Sequence, residues 1–323
     1  MGFLARLPVA LAPGMGLNAF FTYTVVLEMG KSWETALGAV FLSGCLFVLI
    51  SAFGVRAWVI NTIPDTLKKG IVAGIGAFLA LIALKESGII VASPATLVTL
   101  GDLTEFAPAM AILSFFLIVF FIQKQLSGAV ILAVLIVTAI SLLFGEQQFH
   151  GVMALPPSIA PTLMQLDIAG AFDVAMISVI FAFLFVDLFD TSGTLIGVTK
   201  KAGLMDKDGN VPNMDKALFA DSSATIAGTL LGTSSVTSFI ESSAGVATGG
   251  RTGLVAVVVG VLFLLALFFS PLAGTVPSYA TAGAIFYVSV LMLFTLKEID
   301  WDDLTEAAPV SYTHLTLPTS DLV

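Results

Sequence analysis

The sequence predicts an all-α membrane protein with about ten spans, two of which are interrupted by non-helical segments. The 323-residue chain is 58% hydrophobic and only 11% charged, with a mean hydropathy of +1.04, whereas soluble domains carry about 25% charged residues. Apolar runs long enough to cross a bilayer follow one another along most of the chain. Two of these runs contain proline, glycine and hydroxyl residues that disfavour a continuous helix.

The apolar runs define the elements in order. They cover residues 7–27, 35–53, 70–84, 107–122, 128–144, 174–198, 217–231, 234–249, 254–269 and 279–296. The seventh run contains Asp221 and two serines, so it is expected to face protein rather than lipid. The sequence predicts no cofactor, no metal site and no nucleic-acid partner, and it contains no complete phosphate-loop motif of the form Gly-x-x-x-x-Gly-Lys-Ser/Thr.

The first and eighth runs are the interrupted ones. Before Leu17 the first run holds two prolines and two glycines, and the eighth begins with the hydroxyl-rich, β-branched segment 232–238. Each is predicted to be an extended segment followed by a half-helix. Such backbone is tolerated at bilayer depth only inside protein or beside a cavity, and paired broken segments mark the central site of transporters. The two runs lie seven spans apart, and an odd separation is typical of inverted repeats.

Two aspartates near the middle of the sixth run indicate a buried site. Each ionised aspartate at bilayer depth costs ~2.5–3.5 kcal/mol if nothing compensates it. Asp187 and Asp190 are three residues apart, so they share one helix face that must look into protein or water. Two neighbouring carboxylates rarely ionise together, so one of them is expected to hold a proton. The pattern favours a substrate or ion site.

Three segments of the chain resemble the AzgA-like purine permeases of the nucleobase–cation symporter-2 family. They are LPVALAPGMGLNAFF at 7–21, FVDLFDTSGTL at 185–195 and IESSAGVATGGRTGL at 240–254. The resemblance runs over residues 7–309 and implies fourteen spans in two inverted repeats of seven. It implies a multi-pass protein of the cytoplasmic membrane that takes up adenine, guanine or hypoxanthine with protons, and not an enzyme.

The resemblance also implies a domain organisation. Residues 1–309 are expected to be a truncated membrane domain, with a core of 1–54 and 170–270 and a gate of 65–145 and 277–297. The family has two further spans at each end, so the chain is expected to be a fragment holding spans three to twelve. Residues 310–323 do not continue the pattern and are expected to be a non-native tail from a sequencing artefact, the alternative being a native polar tail.

The family's motifs identify four candidate site residues. Asp190 matches the substrate-binding carboxylate, and Asp187 on the same face is a candidate for binding substrate or carrying the proton. Glu241, at the start of the second half-helix, matches the family's other key acid and is a second candidate for proton coupling. Asn18, at the start of the first half-helix, offers both a donor and an acceptor to a purine edge.

Three of these residues also have a purely structural interpretation. Asp190 would cap a half-helix that begins near Thr191, Asn18 would be an ordinary N-cap, and Glu241 would stabilise a helix N-terminus. Thr191 and Ser192 are either hydroxyl ligands or residues that hydrogen-bond their own helix.

The leading functional hypothesis is a proton-coupled purine symporter. Its partners would be a purine nucleobase, protons or sodium ions, and the lipid bilayer, with a homodimer as a further expectation. The alternative is an anion transporter or channel of the same inverted-repeat architecture, which the acids of the site argue against. An intramembrane aspartyl protease would need a Gly-x-Gly-Asp motif, which the sequence lacks.

The basic residues predict an orientation. If the ten runs alternate across the membrane, one side receives only Lys31 and Lys85 out of 13 basic residues. The other side receives Arg6, Arg56, Lys68, Lys69, Lys124, Lys200, Lys201, Lys207, Lys216, Arg251 and Lys297. Because loops rich in lysine and arginine stay in the cytoplasm, this second side is predicted to be cytoplasmic.

Cysteine labelling tests this topology. In a Cys45→Ser background, single cysteines at residues 89–104 should react with a membrane-impermeant maleimide added to intact cells. Cysteines at residues 200–216 should react only after the cells are opened. Labelling of the second loop from outside would refute the orientation.

Overall fold

Apolar runs of bilayer length fold as helices in both halves of the chain. The computed structural model describes residues 1–52, 65–94, 96–126, 128–207, 210–304, 307–308 and 310–311. Residue 53, where the second predicted run ends, lies outside these ranges, and so does the expected non-native tail apart from residues 310 and 311.

The secondary structure is mainly helical, with four short strands in the described ranges. The helices are α1 Met15–Ala19, which continues in π-helical form over Phe20–Glu28, α2 Trp33–Ala52, α3 Asp65–Glu86, α4 Phe106–Gln123, α5 Ala129–Leu143, α6 Ile168–Ala171, α7 Val174–Ala202, α8 Met214–Leu231, α9 Ser242–Ala247, α10 Leu254–Ala266, α11 Ser270–Gly274 and α12 Ser278–Leu293. The strands are β1 Leu11–Pro13, β2 Ile90–Ser93, β3 Leu97–Leu100 and β4 Val236–Ser238.

Several helices have the length and composition of membrane spans. Within the described residues, five are long and apolar enough: Trp33–Ala52, Phe106–Gln123, Val174–Ala202, Leu254–Gly274 and Ser278–Lys297. The apolar helix Ala129–Leu143 is shorter. Helix α8 has 18 residues, about 27 Å of helix, and its polar side chains Asp221, Ser222 and Thr225 are all fully buried. The predicted contact of the seventh run with protein is thus confirmed.

The chain forms two compact units, Met1–Ile63 with Pro157–Ala266 and Pro64–Pro156 with Leu267–Val323. In the first unit, α2 packs against α7 and α8, and small residues allow the close approach. Gly44 faces Thr225 and Ile226, while Phe47, Leu188 and Leu218 belong to one buried apolar cluster. The predicted core and gate roles of the two parts describe motions, and they stay predictions.

The second unit packs α12 against α3 and α4. Ser114 on α4 donates to the carbonyl oxygen of Ala280 at 2.7 Å. This unit also holds an antiparallel hairpin of β2 and β3, in which Ile90 pairs with Leu100. The hairpin was not predicted from the sequence, because the strands are only four residues long and lie between two helices.

The two interrupted runs fold as predicted, each as a short strand followed by a half-helix. The strands β1 and β4 pair with each other in antiparallel register, with Leu11 opposite Ser238 and Pro13 opposite Val236. The pairing continues beyond the strands, since the amide of Phe239 donates to the carbonyl of Ala10 at 3.0 Å. The backbone that the prolines and glycines keep from being helical is therefore hydrogen-bonded within the first unit.

Close packing at Gly38 gives a stability prediction. An added Cβ at this position of α2 would meet the backbone of Asp167, whose carbonyl carbon would lie 2.8 Å away. The backbone of Asp167 is fixed because its amide donates to the carbonyl of Glu34 at 2.9 Å. Gly38→Ala should therefore lower the free energy of unfolding by ~1–3 kcal/mol through overpacking.

The control is Gly260→Ala, because no described atom would lie within 4 Å of its Cβ. Alanine favours a helix over glycine by up to about 1 kcal/mol, so this variant should be at least as stable as the parent. Thermal unfolding in detergent compares the two variants. Equal midpoints would contradict the close packing at Gly38.

Candidate functional site

The acidic residues of α7 lie beside the paired strands in the first unit. Asp187 is only 1% exposed and Asp190 is partly buried. The hydroxyl of Thr237, on β4, donates to Oδ2 of Asp190 at 3.2 Å. Helix α7 runs without interruption from Val174 to Ala202, so Asp190 does not cap a half-helix at Thr191 and the capping interpretation is wrong.

Asp187 has only weak partners for its carboxylate. The hydroxyl of Thr225 lies 3.5 Å from Oδ2 of Asp187. The same hydroxyl lies only 2.8 Å from the carbonyl oxygen of Val236, so it donates its hydrogen to that carbonyl. Oδ1 is buried and has no hydrogen-bond partner among the described residues. Because buried polar atoms are normally paired, Asp187 is suited to meet a donor from a ligand or to hold a proton.

Asn18 lies inside the first half-helix rather than at its start. Gly14 occupies the N-cap position of α1, and the amide of Asn18 donates to the Gly14 carbonyl at 2.8 Å. The prediction that Asn18 opens the helix is therefore wrong, because the helix begins at Met15 rather than Leu17. Its Oδ1 is buried without a partner in the described part of the chain.

Glu241 occupies the N-cap position of α9, where the sequence places the start of the second half-helix. Its side chain makes no capping hydrogen bond and is exposed. It lies within electrostatic range of Asp190. The structure thus places Asp187, Asp190 and Glu241 around β4, while Asn18 lies on the half-helix that follows the paired strand β1.

Thr191 and Ser192 differ in their surroundings. The hydroxyl of Thr191 is fully buried and bonds to groups on two other elements, Asp221 on α8 and Thr237 on β4, both at 2.9 Å. It does not bond its own helix, so that interpretation is wrong for Thr191. The Ser192 hydroxyl is buried and lacks a partner within the described ranges.

Asp221 is the site residue that the sequence reasoning missed. Its carboxylate is fully buried, and it accepts hydrogen bonds at 2.9 Å from the hydroxyls of Thr191 and Ser238. It therefore joins α7, α8 and β4 at one point. The signal was present, because Asp221 interrupts an apolar run just as Asp187 does.

The three aspartates share one chemical character. The hydrogen bonds described for Asp187, Asp190 and Asp221 all come from hydroxyl groups, and none comes from a lysine or arginine. No group of three or more His, Cys, Asp or Glu suited to a metal ion occurs in the described residues. A site rich in carboxylate oxygens favours a ligand with N–H donors over an anion.

Comparison with known proteins identifies the family. Residues 1–320 match the model of the Permease family. The chain is 49% identical over 318 residues to the adenine permease AdeQ of Escherichia coli (strain K12), an alignment covering 98% of this chain and 72% of AdeQ. It is 44% identical to the guanine/hypoxanthine permease PbuG of Bacillus subtilis (strain 168), covering 98% of this chain and 73% of PbuG.

Solved structures share the fold at low sequence identity. The transmembrane domain of the cyanobacterial bicarbonate transporter BicA superposes with a TM-score of 0.77 at 17% identity, covering 98% of this chain and 83% of that chain. The anion transporter Slc26a9 of the mouse gives 0.69 at 11% identity, covering 99% and 58%. The family match and the permease relatives confirm a transporter, as the sequence predicted. The chain belongs to the Permease family and is an integral, multi-pass membrane transporter rather than an enzyme.

Proposed function

We propose that this protein takes up purine nucleobases (adenine, guanine or hypoxanthine) with protons across the cytoplasmic membrane by secondary active transport. The names of the relatives support the substrate class, since AdeQ is an adenine permease and PbuG a guanine/hypoxanthine permease. The family match over nearly the whole chain supports the extension to this protein.

The observation that carries the proposal is a set of buried oxygen atoms that accept no hydrogen bond from the described residues. Oδ1 of Asp187 and Oδ1 of Asn18 are buried and unpaired among the described residues. A purine offers ring N–H groups and, in adenine and guanine, an exocyclic amine. A carboxylate accepts two such bonds side by side, and an amide both donates and accepts. We assign Asn18, Asp187, Asp190 and Glu241 to purine binding.

The proposed transport step uses the two half-helices α1 and α9. Each follows a strand of the β1–β4 pair, so both are attached to the same backbone joint. In transporters with broken helices of this kind, one bundle rocks or gates against the other around the site. Purine bound beside α7 would thereby be exposed to one side of the membrane after the other.

Proton coupling needs a carboxylate that is protonated together with purine binding. Asp187 and Glu241 are our candidates, because Asp190 is better used as an acceptor for the purine. Purine entry removes water from the site, so protonation and purine binding favour each other. Sodium coupling is the competing case, and the pH dependence of uptake distinguishes the two.

Replacing Asp190 tests purine binding. Asp190→Ala removes an acceptor and should weaken adenine binding by ~1–3 kcal/mol or more, since a buried purine N–H loses its partner. Binding of radiolabelled adenine to the purified protein in detergent measures this change. The control is Asp173→Ala at the start of the same helix, whose carboxylate pairs with Lys31 at 2.6 Å. Unchanged adenine affinity in Asp190→Ala would refute the assignment.

Replacing Glu241 tests coupling separately from binding. Glu241→Gln resembles the protonated acid, so the variant should still exchange adenine across proteoliposome membranes while losing accumulation driven by a proton gradient. Exchange and accumulation are measured on the same vesicles. Normal accumulation with normal pH dependence would exclude Glu241 as the coupling group and leave Asp187. Exchange lost together with accumulation would assign Glu241 to binding instead.

A further inference from the structure

A continuous chain of polar groups connects Asp190 to Asp221. The Thr237 hydroxyl lies 3.2 Å from Oδ2 of Asp190 and 2.9 Å from the Thr191 hydroxyl. The Thr191 hydroxyl in turn lies 2.9 Å from Oδ2 of Asp221. These separations are those of hydrogen bonds. Two carboxylates on different helices are thus joined through two threonines that are both at most 2% exposed.

The hydrogen-bonded chain from Asp190 to Asp221 needs one hydrogen more than its two threonine hydroxyls supply. Its links are Asp190 to Thr237, Thr237 to Thr191, and Thr191 to Asp221, so it needs three hydrogens. Each threonine hydroxyl supplies one hydrogen. If both carboxylates were ionised, each hydroxyl would donate to its neighbouring carboxylate. The two hydroxyl oxygens would then face each other at 2.9 Å with no hydrogen between them.

Two further donors lie beside this hydrogen-bonded chain in the described part of the protein, and both already donate to other atoms. The backbone N–H of Ser238 donates to the Thr191 oxygen at 3.4 Å, and the Ser238 hydroxyl donates to Oδ1 of Asp221 at 2.9 Å. Neither points between the two threonines. The remaining source of the third hydrogen is a carboxyl group at one end of the chain. The geometry therefore points to one proton shared by Asp190 and Asp221 through the hydroxyls of Thr237 and Thr191.

The shared proton has two positions. When it is on Asp190, the donors run from Asp190 through Thr237 and Thr191 to an ionised Asp221. When it is on Asp221, every hydrogen bond of the chain reverses and Asp190 is ionised. Both arrangements supply a hydrogen to every link of the chain. In going from the first to the second, the Asp190 proton passes to the Thr237 oxygen, the Thr237 proton to the Thr191 oxygen and the Thr191 proton to Asp221, without any change in the fold.

The position of this proton determines whether Asp190 is ionised. The consequence for purine binding rests on the proposed function. Only the ionised Asp190 accepts two N–H groups of a purine. Asp221 is thus a proton-binding residue that takes up the proton when purine arrives. Among the described residues, the other titratable groups near these hydrogen bonds are Asp187 on α7, Glu241 at the N-cap of α9 and the N-terminal amine of Met1.

Infrared spectroscopy of the purified protein without any ligand tests the sharing. The protonated carboxyl gives a C=O stretching band, and asparagine at either end supplies the missing hydrogen from its amide. Asp190→Asn and Asp221→Asn should each remove the same band component, and the double variant should remove no more than either. A contribution from Asp187 is common to all the variants. Additive losses, or no loss in either variant, would overturn the proposal.

A second pair of variants keeps both acids. Thr191→Val has the same shape as threonine but breaks the chain, so the proton becomes confined to one end and the band should shift in frequency. Thr191→Ser restores the hydroxyl and should restore the band. The matched control is Thr199→Val, because the buried Thr199 hydroxyl bonds only within α7, to Leu195 at 2.5 Å and to Ile196. A band in Thr191→Val identical to that of the parent would overturn the proposal.

Adding adenine separates this inference from the proposed function. In the parent and in Thr191→Ser, adenine should shift the carboxyl band as the proton moves to Asp221, and in Thr191→Val this shift should be absent. If adenine does not bind the parent at all, the proposed function fails, while the ligand-free spectra still decide whether the proton is shared. A band shift with adenine that is the same in Thr191→Val would refute the switch.

Discussion

The structure depends on the antiparallel pairing of β1 with β4. Extended backbone in a bilayer cannot obtain hydrogen bonds from lipid, so it must obtain them from protein. Here each broken segment supplies the partner for the other, with Leu11 opposite Ser238 and Pro13 opposite Val236. The amide of Gly14 donates to Ser235 at 3.0 Å, and the amide of Ala10 is satisfied by the Ser242 hydroxyl at 2.9 Å. Without this joint, neither half-helix would have a fixed starting point.

The same pairing places the polar side chains of the site. Successive side chains of a strand point to opposite sides. On β4, Thr237 bonds to Asp190 of α7, whereas the next side chain, Ser238, bonds to Asp221 of α8. Two adjacent residues of a three-residue strand therefore reach acids on two different helices. Three aspartates, two of them buried, can coexist there because each lies beside hydroxyl groups rather than lipid.

The sequence predicted those features that are encoded locally. The broken segments were predictable because proline and glycine act on the backbone where they stand, and the acids of α7 were conspicuous against their apolar surroundings. The start of α1 was misplaced by two residues, because Gly14 caps the helix in the structure although glycine usually signals its interruption. The partners of Asp221 could not be predicted, since Thr191 and Ser238 lie on two other elements and only the packing of those elements brings them to the carboxylate.

The fold alone does not determine the charge of the ligand. Solved structures with this fold include bicarbonate and anion transporters, and they are less than 20% identical to this chain. The side chains around the paired strands are therefore what bears on the ligand of this chain. Asp187, Asp190 and Asp221 make this site rich in acceptors, so an anion would be repelled by any of them that is ionised. We therefore propose that the ligand class of this permease follows from a few side chains of α7 and α8.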